Sequence, residues 1–154
     1  MSFTARGYYL HEHDESPVEI RTADDVRGLL DAMLTQPKES SVVTLYIAER
    51  PKLDIGGADH ELRIGVLADR KVGSVSFISG KDRHYAKGLA DPDPIRYQYA
   101  GHLDLFPADS LVDLDVLLTV AADFLASGAE RLPDGAEWAS WPTEPLDEDE
   151  GGWF

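Results

Sequence analysis

The sequence predicts an α+β fold, an antiparallel sheet of about five to six strands packed with two main helices. Three observations lead there. Residues 61–67 (ELRIGVL) alternate, with Leu62, Ile64 and Val66 on one face, and residues 72–78 resume the alternation with Val75 and Phe77 inward after a polar connection. Two other stretches carry the helical period, one near the start and one ending at Gly128. From Gly57 to the second of these no crossover helix separates the strands, so an antiparallel meander is the economical topology.

In chain order, residues 6–10 (RGYYL) are aromatic and β-prone, and residues 18–20 after Pro17 form a second short extended piece. Between them lies His11-Glu12-His13-Asp14-Glu15. On a strand, His11 and His13 would share a face and could hold a metal with a third ligand from elsewhere, but two histidines alone favour a solvated hairpin turn. Thr22 opens the first helix. Asp25 follows three residues on, as in a capping box, and Val26, Leu29, Leu30, Met33 and Leu34 form an apolar stripe that Pro37 ends. Residues 41–49 (SVVTLYIAE) are apolar on both faces and predict a central strand covered on both sides over part of its length. Residues 50–59, with Pro51, Gly56 and Gly57, predict a loop, and residues 61–67 with 72–78 a hairpin.

Residues 79–94 carry few strand signals and predict a long loop, with Lys81, Arg83, His84 and Lys87 reversing the overall charge. A phosphate grip there would need a Gly-rich turn feeding a helix, which is missing, so a solvated loop touching a partner is expected. Residues 95–99 place Ile95, Tyr97 and Tyr99 on one side. The stretch that organises the rest is 101–138. A loop with Pro107 and Ser110 leads to a helix of about 15 residues, which Gly128 and Pro133 stop before a short extended piece ending at Trp138. Asp115, Thr119 and Asp123 make one narrow wet stripe on that helix, and apolar residues cover the remainder. It must therefore be buried over most of its girth, with a sheet on one side and another element beside it.

At 154 residues with 43% hydrophobic content the chain suits one domain, residues 1–142, followed by an acidic and aromatic tail over 143–154. There is no cysteine, hence no disulfide and no thiolate metal site, and a reducing cytoplasm is the expected home. No apolar run approaches the roughly 20 residues of a membrane span, and the opening residues lack a signal-peptide pattern. Fourteen Lys and Arg against 29 Asp and Glu leave a net charge of -15, which disfavours direct binding to nucleic acid or an anionic membrane and suits a basic protein partner.

Catalytic motifs are missing: no GxSxG elbow, HExxH pair or P-loop occurs. His60 with Glu61 and His102 with Asp104 are the remaining pairs for proton transfer, and each type is more often structural. His102 in particular suits a core-edge histidine as well as a site residue. Neither a cofactor nor a metal is called for. The C-terminal end carries Trp141, then four consecutive acids Asp147, Glu148, Asp149 and Glu150, then Trp153 and Phe154. A block of like charges is a solvated tail, and tryptophan is enriched among interface anchors.

One grouping of these residues resembles a known family. Gly101, His102, Asp104, Phe106 and Pro107, then Ala121, Ala122, Phe124, Leu125, Ser127 and Gly128, then Pro133 and Trp138, following a first helix and a meander, look like the immunity protein family one of bacterial polymorphic toxin systems. The resemblance is best over residues 61–138. It implies a small α+β cytoplasmic protein, not an enzyme, that binds and neutralises a cognate toxin domain, often a nucleic-acid deaminase. The long acidic and aromatic tail departs from the pattern. On charge and position, Asp147, Glu148, Asp149, Glu150 and Trp141 are the first partner-binding candidates, and Asp14, Glu15 and Asp104 the second. Two other classes stay open. One is a small-molecule binder or enzyme whose cleft gathers Tyr97, Tyr99, His102 and a carboxylate; the other is a dimeric module pairing through a strand edge.

Overall fold

The computed structural model describes residues 3–50 and 58–146. Its elements in order are β1 (Ala5–Tyr8), β2 (Val18–Ile20), α1 (Ala23–Met33), β3 (Val42–Ile47), β4 (His60–Leu67), β5 (Val72–Ser79), β6 (Asp82–Lys87), β7 (Ile95–Tyr99), β8 (His102–Phe106), β9 (Val112–Asp113), α2 (Leu114–Ser127) and β10 (Glu137–Ser140). The architecture is α+β as predicted, with more strands than the sequence suggested. An eight-stranded sheet runs β10-β6-β5-β4-β3-β1-β2 with β9 attached to β5, and β7 pairs only with β8 as a separate two-stranded ribbon.

Local chemistry explains most boundaries. The Thr22 hydroxyl accepts from the Asp25 backbone N–H at 3.1 Å, while the Asp25 carboxylate accepts from the Thr22 and Arg21 N–H groups at 3.2 and 2.8 Å, so the capping box forms as the spacing predicts. At its other end α2 stops on Gly128 in the left-handed region, φ 64°, which glycine adopts without the Cβ penalty. The β4–β5 hairpin pairs in full register from His60↔Ser79 to Leu67↔Val72, and β3 sits between β4 and β1 as an interior strand.

Two expectations are corrected. The middle of the predicted loop after β5 is strand β6, whose Arg83↔Ile78 and Tyr85↔Ser76 pairings bring Arg83, His84 and Lys87 into the sheet, while Lys81 stays exposed in the turn before it. Its polar alternation hid it, because the basic residues raise no apolar signal. The meander also ends one strand early. β7 leaves the main sheet and folds with β8 across its second face.

The sheet consequently separates two cores. On one face α1 and α2 pack together over Leu45, Leu62, Ile64, Val75 and Phe77, contributing Val26, Leu30, Met33, Leu117, Val120 and Phe124. On the other, Ile95, Tyr97 and Phe106 of the ribbon join Val42 and Leu111 in a smaller core edged by Trp141. Gly65 permits that second layer. A Cβ there would lie 2.7 Å from the Tyr97 ring, so only glycine lets the ribbon approach β4 this closely. The ring fits with its hydroxyl and the Ser74 hydroxyl 2.7 Å apart, and Ser74 in turn meets the Ser110 hydroxyl at 2.8 Å.

Candidate functional site

The alternation that sends Leu62 and Ile64 to the helices sends Glu61 and Arg63 to the ribbon face, and the ribbon supplies Asp104 to meet them. Arg63 donates through Nε to Glu61 at 2.7 Å and through Nη1 to Asp104 at 2.6 Å, with its guanidinium over the Tyr99 ring. The Tyr46 hydroxyl donates to the other Glu61 oxygen, and the Thr44 and Tyr99 hydroxyls lie 3.2 Å apart. Burial, set against the Glu61 carboxylate and that of Asp104, leaves Arg63 with a raised pKa. Arg63 is thus a clamp between sheet and ribbon, firmly charged.

Next to this clamp opens a cleft of about 600 Å³, lined among others by Arg6, Tyr8, Asp14, Tyr46, Arg50 and Tyr99. Its floor is structural. Arg50 grips Asp59 through two hydrogen bonds and reaches the carbonyls of Gly128 and Ala129, where a cation suits the C-terminal end of α2. The Arg50 hydrogen bonds, with that of His60, hold the Asp59 carboxyl down at about 2. Buried His60 accepts the Ile47 N–H on Nε2 at 2.8 Å, so in its neutral form Nδ1 carries the proton and donates to Asp59 at 2.9 Å. Burial lowers its pKa. With both ring nitrogens committed, His60 has no lone pair left for proton transfer or for a metal.

The other histidines have equally definite places. His13 is buried in the 3₁₀ turn His11–Asp14, with its Nδ1 accepting from the Tyr9 and Leu10 N–H groups at 3.1 and 3.0 Å, whereas His11 is exposed, so the shared strand face of a His11–His13 metal pair does not form. His102 stands exposed at the ribbon turn instead of at the core edge. Tyr99 lines the 600 Å³ cleft and buried Tyr97 a second one of about 740 Å³ beside Met33, so the convergent Tyr97, Tyr99 and His102 pocket does not form. The main sheet ends on β2 and β10, strands of three and four residues, which offer little edge for pairing with another copy.

Of the candidate contact residues, Asp14 and Glu15 are exposed, Asp14 on the lip of the cleft. Asp104 is half-buried and taken by Arg63. Trp141 lies across the ribbon face, its ring 3.4 Å from the Arg83 guanidinium carbon and edge-on to Tyr85 and Phe106. Asp147, Glu148, Asp149 and Glu150 lie outside the described residues. Sequence reasoning missed Arg63, Glu61, Tyr46 and Arg83 as a connected surface. Their signal was the polar half of each strand's alternation, which reads as solvent-facing until a ribbon is known to cover it.

Comparison with protein-family models decides the family. The model described as immunity protein Imm1 matches residues 14–140, well over half the chain. The chain belongs to the Imm1 immunity protein family. A search of curated proteins finds no match. The Imm1 match begins at Asp14, the last residue of the 3₁₀ turn, and spans both helices, the Arg63 clamp and β10. Among the described residues no helix is long and apolar enough to cross a membrane, and no three His, Cys, Asp or Glu side chains are grouped to hold a metal ion.

Proposed function

We propose that this Imm1 chain protects the cytoplasm of the cell that makes it by binding a cognate toxin domain that attacks nucleic acid, a deaminase in the first instance, and covering its basic active-site cleft. The family match over residues 14–140 carries the reading, and the net charge of -15 supports the polarity of the encounter. A toxin that acts on DNA or RNA needs a basic groove for phosphates. An acidic inhibitor is steered to that groove, and desolvated contacts then set the off-rate. A zinc deaminase takes its base into a deep pocket, which a rigid protein surface over the mouth closes without chemistry. This accords with His60, whose two ring nitrogens are engaged in holding the fold, and with His13, whose Nδ1 is.

Asp14 and Glu15 suit the contact because they are exposed and, among the described residues, form no ion pair. Trp141 and the acids at 147–150 extend the same role, and Asp104 contributes by holding the ribbon in place. Co-expression tests the reading. The toxin domain encoded by the neighbouring gene should kill alone and be tolerated with this chain, and the complex should weaken as salt rises. A purified mixture in which the toxin keeps full deaminase or nuclease activity would overturn it.

A further inference from the structure

Arg83 is the odd group of the ribbon face. Its Nε is the one buried side-chain polar atom, among the described residues, that has no hydrogen-bond partner. Its Nη2 reaches only the Ser76 hydroxyl at 3.3 Å, near the long limit for such a bond. The guanidinium is nevertheless held in place. Trp141 stacks on it at 3.4 Å, Phe106 stands 5.9 Å away, and the Trp141 backbone N–H donates to the Arg83 carbonyl at 2.9 Å, tying the two segments together. The nearby carboxylates are already used, since Arg63 takes both Glu61 and Asp104. Burial first and Arg63 second lower the Arg83 pKa to about 10, so it stays charged at neutral pH.

We propose that Arg83 is the receptor for a single carboxylate carried by the partner protein, with the Trp141 ring as one wall of that site. The inference rests on the immunity reading above and sharpens it. A stacked guanidinium presents its N–H fork in a fixed plane, the geometry that grips a carboxylate bidentately, and little side-chain freedom remains to be lost on binding. Glu61 and Asp104 already balance the two arginines, so a doubly charged phosphate meets repulsion from them and from the chain's charge of -15. One carboxylate fixed on a protein surface meets the Nη end of the half-buried side chain without that penalty, while the buried Nε stays inside the layer. The site works as a discriminator. A toxin that is basic everywhere leaves Arg83 covered and unpaired, whereas the cognate toxin brings one acid into register.

The test uses the full chain and, as probe, the catalytically silenced toxin domain encoded by the neighbouring gene, titrated calorimetrically against wild type, Arg83→Met and Arg83→Lys. Each free chain is also melted. Arg83→Met, which keeps the bulk under Trp141, should melt no lower than wild type and bind roughly 30-fold or more weakly. Arg83→Lys should recover only part of the loss, because an ammonium cannot fork. Binding of Arg83→Met within threefold of wild type overturns the inference alone. Melting temperatures lowered by several degrees in both variants, with binding otherwise intact, make Arg83 a structural strut and also overturn it. A wild-type chain that does not bind the domain overturns the immunity reading and takes the inference with it.

Discussion

The two faces of the sheet are built from the same strands yet held by different physics. The helix face is a dry layer in which Phe124 meets Phe77 edge-on beside buried Leu62, Ile64 and Leu117. The ribbon face is a mixed layer, where Tyr97 and Phe106 pack tightly while Arg63, Glu61, Asp104 and Arg83 carry charge into the contact. Burying apolar area is non-directional, so the helix face provides the bulk of the stability. Hydrogen-bonded charges are directional and costly when unpaired, so the ribbon face provides a defined shape. On the contact mechanism proposed above, stability and recognition are divided between the two sides of one sheet.

Phe124→Ala should break the comparison most severely. It empties a fully buried site between α2 and the sheet and should lower unfolding free energy by about 4 kcal/mol in urea titration, with toxin affinity preserved at temperatures where the chain stays folded. Arg63→Met should come next, costing about 2 kcal/mol because Glu61 and Asp104 lose their shared cation. Its signature is local, with faster amide exchange in β7 and β8 and unchanged exchange in α2. Equal acceleration in both would mean that the two layers are not separable. Gly65→Ala should cost about 1–2 kcal/mol by pushing the Tyr97 ring off β4, read as a downfield or upfield move of the Tyr97 resonances with the helix-face resonances fixed.

The smallest effect expected is on pH dependence. Burial keeps the folded-state pKa of His60 below its ordinary value of about 6.5, so the unfolded chain binds the proton first and stability falls as pH drops below that value. Protonation would also place a proton on Nε2 facing the Ile47 N–H. Asp59, depressed to about 2, contributes stability that is complete above its ordinary pKa and lost as pH falls from about 4 towards 2. Both slopes have the same sign, and both groups sit at the floor of the cleft. Stability that does not change between pH 7 and 5 would show that His60 is not held neutral.

Much of the helix face was legible from the sequence. The Thr22–Asp25 cap, the apolar stripe of α1, the Gly128 stop and the β4–β5 hairpin each depend on residues a few positions apart, and each formed. The ribbon face was much less legible. In sequence β6 reads as a loop because Asp82, Arg83, His84 and Lys87 carry no apolar alternation, and its strand character comes from pairing with β5 and β10. In sequence Asp104 reads as an acid for a partner, and in the fold it meets Arg63, 41 residues away along the chain. No local pattern couples those two positions.

From the order of residues alone followed the fold class, the two helices with their ends, the interior strand, the missing thiol chemistry and the acidic balance, because short-range sterics, periodic burial and net charge are properties of neighbouring residues or of their sum. Tertiary structure decided that β7 and β8 leave the sheet to cover its second face, that Arg63 consumes the local carboxylates, and that Arg83 is left under Trp141 without an acceptor. Those outcomes depend on which distant strands meet across a layer, and the energy of a buried charge is set by the neighbours it finds there.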